Sequence, residues 1–275
     1  MFVISFSAFA TFIDFPLYEE GALEKKSMEV PEEYQEIAQE VYELFDEEVR
    51  LQGGKLKIEF NMRETKINAY ADRKTDYWRI TFTGGLIRHK LFNKNLFASV
   101  LCHELGHHIA GPPYKSFFLF GPTWASAEGQ SDYFATNICL KRLYMDKNNT
   151  EILGAEEINP FIDEACRLKD PRYYDLCVRN TLISEETGRM LAILGSKKPI
   201  PEEKMPKLNT PDSNQVSRVF TKHPKAQCRM DTYFQGSLCE SYFLVESEQK
   251  GVKNCEDKWD DLFSGARPRC WYAKR

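Results

Sequence analysis

Residues 101–113, LCHELGHHIAGPP, constrain what this chain can fold into more than any other stretch. Within them stands His103-Glu104-Leu105-Gly106-His107, flanked by Leu96, Phe97, Val100 and Leu101 before and by Ile109 and Ala110 after. Apolar residues on every side predict a helix inside the core, where ionisable side chains need a partner or a chemical task. On an α-helix, positions i and i+4 share a face, so His103 and His107 can aim two imidazole nitrogens at one cation. Glu104 is one step round the same helix, within reach of a water on that cation. Of the five histidines in the chain, three fall between His103 and His108. Asn93 or Asn95 caps the start of this helix, and Gly111-Pro112-Pro113 stops it.

A zinc site that carries out hydrolysis takes three protein ligands and leaves a position open for water. The next helical stretch, Thr123 to Leu143 with Thr123 as its cap, offers Glu128 as the third ligand. Asp132 lies four residues on and faces the same way. It is placed to hydrogen-bond the free ring nitrogen of a histidine and fix its tautomer, with Ser126 or Gln130 as alternative supports. The plain alternative for Glu128 and Asp132 is an acidic helix start that complements the macrodipole. The loop over 111–123 carries Tyr114, Phe117, Phe118, Leu119 and Phe120, which either line a groove or pack beneath the loop.

Around this centre the chain reads as alternating elements. Residues 31–52 form an amphipathic helix with Pro31 in its first turn and Tyr34, Ile37, Ala38, Val41, Leu44 and Phe45 on one face. Strands are expected over 55–60, 67–70 and 77–83, with a hairpin loop at 72–76. A helix is expected over 175–194, a proline-rich connector over 196–214, and a further helix opening after His223-Pro224. Net charge is −4, which gives no electrostatic reason to expect nucleic acid. No apolar run reaches the length of a membrane span.

Two features bear on compartment. Residues 1–13, MFVISFSAFATFI, are uncharged, and Ala8-Phe9-Ala10 has the form of a signal-peptidase site. The stretch is either the remnant of an export signal, the reading we favour, or an N-terminal strand packed on the body. The eight cysteines suggest disulfides and an oxidising compartment, hence a periplasmic or secreted protein. No two form a CxxC pair. Cys102 and Cys139 fit buried thiols, whereas Cys255 and Cys270 bracket a tail with little core of its own and are better bridge candidates.

Three separated motifs resemble one family, the gluzincin metallopeptidases of the CAAX prenyl protease and HtpX-like group, which includes soluble exported members. They are His103-Glu104-Leu105-Gly106-His107, Glu128-Gly129-Gln130-Ser131-Asp132, and His223-Pro224-Lys225-Ala226-Gln227-Cys228-Arg229. The resemblance implies one Zn2+ per chain held by His103, His107 and Glu128. Glu104 would be the general base and His223 the donor that steadies the developing oxyanion. Arg229 would pair with Asp132 in support of the site. A substrate chain would add as a strand along the segment of Trp78, Ile80 and Phe82. The missing span departs from the membrane-embedded members and argues against prenyl-protein processing.

The expected fold is α+β: a mostly helical, zincin-like metallopeptidase domain with a small, mostly antiparallel sheet. It divides as an N-terminal segment over 1–28, the metallopeptidase domain over 29–240, and a cysteine-containing tail over 241–275 packed on it. The expected function is zinc-dependent hydrolysis of peptide bonds in unfolded or misfolded proteins, as in envelope quality control. The alternative is a non-catalytic envelope assembly or binding factor that keeps the fold. Glu104 argues against it, since a structural site has no use for that carboxylate.

Overall fold

The computed structural model of the 275-residue chain describes residues 10–13, 28–117, 121–154, 157–240, 255, 258–259 and 261–274. Helix α1 (Glu32–Leu51) follows Pro31 and buries Tyr34, Ala38, Val41, Phe45 and Val49 along one stripe. The glutamates between them face outward, as the helical period requires. Strand β1 (Ala10–Thr11) precedes it; β2 (Leu56–Asn61), β3 (Ala69–Arg73) and β4 (Trp78–Thr83) follow.

These strands form one sheet in the order β1-β3-β4-β2. The β1/β3 and β3/β4 pairs are antiparallel, while β2 and β4 run parallel from Leu56↔Trp78 to Asn61↔Thr83. The fold is therefore α+β with a small mixed sheet. One expectation is corrected by this order. Strand β4 is flanked on both sides, so its backbone has no free edge for an added chain. Its side chains Trp78, Ile80 and Phe82 are core residues instead, with Phe82 and Phe97 rings 4.6 Å apart. The edge strand on the side away from β2 is β1, which covers β3.

After the short helix α2 (Gly84–Ile87) comes α3 (Lys94–Ile109), which carries HExxH. Of the two candidate caps, Asn93 does the work: its side-chain oxygen accepts the N–H groups of Asn95 and Leu96. Every residue of α3 from Leu96 to Ile109 is buried. The helix packs on α1 and β3, and on elements later in the chain.

Strands β5 (Tyr114–Phe117) and β6 (Gly121–Ser126) form a hairpin where the sequence reads as a loop. Phe118, Leu119 and Phe120 lie outside the described residues. Thr123 sits in β6 and caps nothing, because residues 121–126 find a pairing partner in 114–117. The following helix begins only at α4 (Glu128–Phe134), continues through a π-helical stretch (Ala135–Cys139), and ends as α5 (Leu140–Tyr144). Helices α6 (Asn149–Leu153), α7 (Pro160–Arg167), α8 (Tyr174–Leu194) and α9 (Ala226–Leu238) complete the body, with α9 lying against both α8 and α4.

All eight cysteines are paired: Cys102–Cys139, Cys166–Cys177, Cys228–Cys270 and Cys239–Cys255. The reading of Cys102 and Cys139 as buried thiols is thereby corrected. Both are buried, as an apolar helix pattern suggests, but they meet where α3 crosses the π stretch. Cys255 and Cys270 do form bridges, each to α9 or its end. Those two bonds fasten the described tail residues to the body, and Trp271 is fully buried there. Four disulfides fit an oxidising, extracytoplasmic compartment. Among the described residues no helix is long and apolar enough to cross a membrane.

Candidate metal centre

Helices α3 and α4 approach closely because α3 has a glycine at the crossing. A Cβ on Gly106 would lie 3.0 Å from Cα of Ser131. This contact brings the first turn of α4 over the two histidines. His103 Nε2 stands 3.3 Å from Glu128 Oε2, and His107 Nε2 stands 3.7 Å from the same oxygen. Ligand atoms about 2.0–2.1 Å from a tetrahedral zinc are separated by about 3.3 Å, so the spacing fits such an ion. All three residues are fully buried. Neither His103 Nε2 nor His107 Nε2 has a hydrogen-bond partner, which is costly unless a cation takes that place.

The far side of each ring is held. His103 Nδ1 lies 2.7 Å from Asp132 Oδ1, and Asp132 in turn accepts Nε and Nη2 of Arg229 at 2.8 and 2.7 Å. His107 Nδ1 lies 2.9 Å from both the Ser126 carbonyl and Ser131 Oγ. With Nε2 facing the cation position, each Nδ1 carries the proton and donates it outward, which fixes both tautomers. Gln130 supports the helix end instead, donating to the Ala110 carbonyl.

The electrostatics follow from burial and partners. Burial opposes a charge on His103, but the Asp132 carboxylate outweighs it and holds the ring up at about 9. His107, with only neutral partners behind it, is pushed well below its usual range by burial. Burial would also raise Glu128, yet His223 and Lys115 beside it hold the carboxylate well below the normal range. Asp132 is held down in the same way, chiefly by Arg229. Protons and a dication would compete for one nitrogen on His103, so metal uptake there would release a proton.

Glu104 is fully buried, and neither carboxylate oxygen has a hydrogen-bond partner. Burial pushes it up to about 8. A dication held beside it would favour the charged form, and as a carboxylate Glu104 could take a proton from water and return it. His223 enters from the segment before α9, with Nε2 3.2 Å from Glu128 Oε2. It also contacts the carbonyl of Thr11.

The structure thus gathers His103, Glu104, His107, Glu128, Asp132, His223 and Arg229 at one place, and leaves Trp78, Ile80 and Phe82 in the core beneath. Sequence reasoning missed Lys115, whose ammonium contacts Glu128 Oε1 from β5; a lone lysine in a presumed loop carries no signal. It also missed Ser131, and the N-terminal Phe12, whose ring lies 5.3 Å edge-on from His103. His108 belongs elsewhere. It stacks between Trp78 and Trp124, where burial pushes it down to about 3.

A cleft of about 800 Å3 opens beside His223 and Arg229 and is walled by Phe12, Ile13, Leu191 and Leu194.

No curated protein and no solved structure matches the chain. A family model does: residues 31–123 match Peptidase family M48. The matched span runs from α1 through the sheet to the HExxH helix and stops before Glu128, which the geometry alone brings to His103 and His107. Over that span the chain is similar to a metal-dependent peptidase family, the reading the buried histidine–glutamate cluster supports.

Proposed function

We propose that this protein is a zinc-dependent endopeptidase that cleaves unfolded or misfolded protein chains outside the cytoplasm. The observation that carries the reading is the convergence of His103 Nε2, His107 Nε2 and Glu128 Oε2 at tetrahedral spacing, with Glu104 buried and unpartnered beside them. Zinc bound there supplies a Lewis acid that polarises water and the carbonyl under attack.

The chain's residues do the rest. Glu104 takes the proton of the attacking water and passes it to the leaving amine. His223 Nε2 donates a hydrogen bond to the carbonyl oxygen as negative charge gathers on it. Asp132, held by Arg229, keeps Nδ1 of His103 protonated and Nε2 free to ligate. Export rests on the four disulfides, and the open cleft fits an extended chain.

The test is digestion of casein by the purified protein with and without a chelator. Cleavage should stop with chelator, return with zinc, and fall by about 10³-fold or more in Glu104→Gln. Zinc-loaded, folded protein that cleaves nothing, and that behaves the same as Glu104→Gln, would exclude the enzyme.

A further inference from the structure

The segment Ala10–Ile13 meets the site through its backbone. Strand β1 runs antiparallel to β3, pairing Ala10↔Ala71 and Thr11↔Tyr70. The carbonyl of Thr11 contacts Nε2 of His223, the nitrogen that lies 3.2 Å from Glu128 Oε2. The next carbonyl, of Phe12, accepts Nη1 of Arg229 at 2.8 Å. Between them, the N–H of Phe12 donates to the Ala69 carbonyl at 3.0 Å. One peptide bond, Thr11–Phe12, therefore has its oxygen on the group placed to steady an oxyanion. Its nitrogen is held by β3. The Phe12 side chain is fully buried against His103, and the guanidinium of Arg229 lies 4.9 Å from its ring. Phe12 and Ile13 then form part of the wall of the 800 Å3 cleft.

As the outermost strand, β1 leaves part of its backbone unpaired by the sheet. What those groups meet is the site: the Thr11 carbonyl contacts His223 and the Phe12 carbonyl accepts from Arg229. We infer that residues 10–13 occupy the substrate's place on the edge of β3 and present the Thr11–Phe12 bond as a substrate presents the bond to be cut. Two consequences follow. The segment competes with incoming chains for β3. The chains this site accepts are extended and carry a large apolar residue immediately after the cleaved bond, in the space Phe12 fills. This deepens the peptidase reading and rests on it for the word substrate.

The test uses the full-length chain with Glu104→Gln, loaded with zinc, so that a bound peptide stays intact. A fluorescent peptide copying residues 7–14 is titrated by anisotropy into this protein and into the same protein with Phe12→Ala. Ala10→Asp releases the segment through a different contact, by placing a charge where Ala10 packs with Ala71 and Ala125. It stands in if Phe12→Ala does not melt cooperatively. Release should raise peptide affinity at least about tenfold, which is the loss of a competitor held on the same chain. A peptide with alanine in place of its Phe12 should not compete. Equal affinity in the parent and the released proteins, or no binding to any released protein that melts cooperatively, overturns the inference. Binding here needs no hydrolysis. Failure of casein cleavage would sink the enzyme while leaving positive peptide binding intact, and cleavage without peptide binding would do the reverse.

Discussion

Cys102 is bonded to Cys139, so the residue immediately before the first histidine ligand is tied to the π-helical stretch that continues from Glu128. The bond spans 37 residues of sequence, and closing a loop of that length in the unfolded chain is worth about 4 kcal/mol in the chain-entropy picture. It also pins α3 against the helix that brings the third ligand. Cys102→Ala with Cys139→Ala should lower unfolding free energy by roughly 2–4 kcal/mol in urea titration. The same loss should appear in the parent protein under reductant, along with losses from the other three bonds.

Gly129 lies under Trp271. A Cβ at Gly129 would fall 2.2 Å from an indole carbon, so Gly129→Ala forces either the ring or the first turn of α4 to move. Overpacking of this kind costs about 1–3 kcal/mol, and here it displaces the residue next to Glu128. The expected result in a competition assay with a zinc chelator is weaker zinc binding as well as lower stability. Adding Trp271→Ala should make the two changes non-additive, because the obstacle is then gone.

Asp132 serves two partners at once, His103 and Arg229. Asp132→Asn leaves the buried guanidinium without its countercharge, which should cost about 3–5 kcal/mol. It also replaces the charged acceptor behind His103 with a neutral amide, which should weaken zinc binding by about 10–100-fold. Asp132→Asn combined with Arg229→Met removes the stranded charge. Stability should then recover in a thermal melt while zinc affinity stays low, separating the two roles.

Lys141 is a buried amine whose ammonium donates to the carbonyls of Gly236 and Cys239. Burial pushes it down to about 7 from its ordinary 10.5. Between those values the unfolded chain binds the proton and the folded chain does not, so stability rises with pH across the window. Below about 7 both states hold the proton and the cost of burying the charge is present in full. The change amounts to at most about 5 kcal/mol. Urea titrations between about pH 7 and pH 10 should show this rise in the parent and a flatter profile in Lys141→Met.

The ligand cluster was legible because it rests on local geometry. His103 and His107 stand one helical turn apart, as do Glu128 and Asp132, and a largely apolar flank announces a buried helix. The sheet was legible as strands but not as a sheet. The alternation of residues 55–60 shows a strand, yet nothing in it shows that β2 lies parallel to β4 and closes its edge. Thr123 looked like a cap because Thr before a helical pattern usually is one; the hairpin with β5 depends on pairing across a turn that composition does not encode. Cys102 and Cys139 looked like core residues because they are core residues, and burial alone does not distinguish a thiol from half of a disulfide. Lys115 and Phe12 reach the site through tertiary approach, for which a single sequence carries no local mark.

The central claim is that His103, His107 and Glu128 hold one zinc ion. Metal analysis of the folded, full-length protein after dialysis measures it most directly. One zinc per chain is expected, falling to background in folded His107→Ala and Glu128→Ala while Glu104→Gln retains the metal. A cooperatively folded protein that holds no zinc after equilibration with excess zinc, or that holds the same amount without His107 and Glu128, would contradict it.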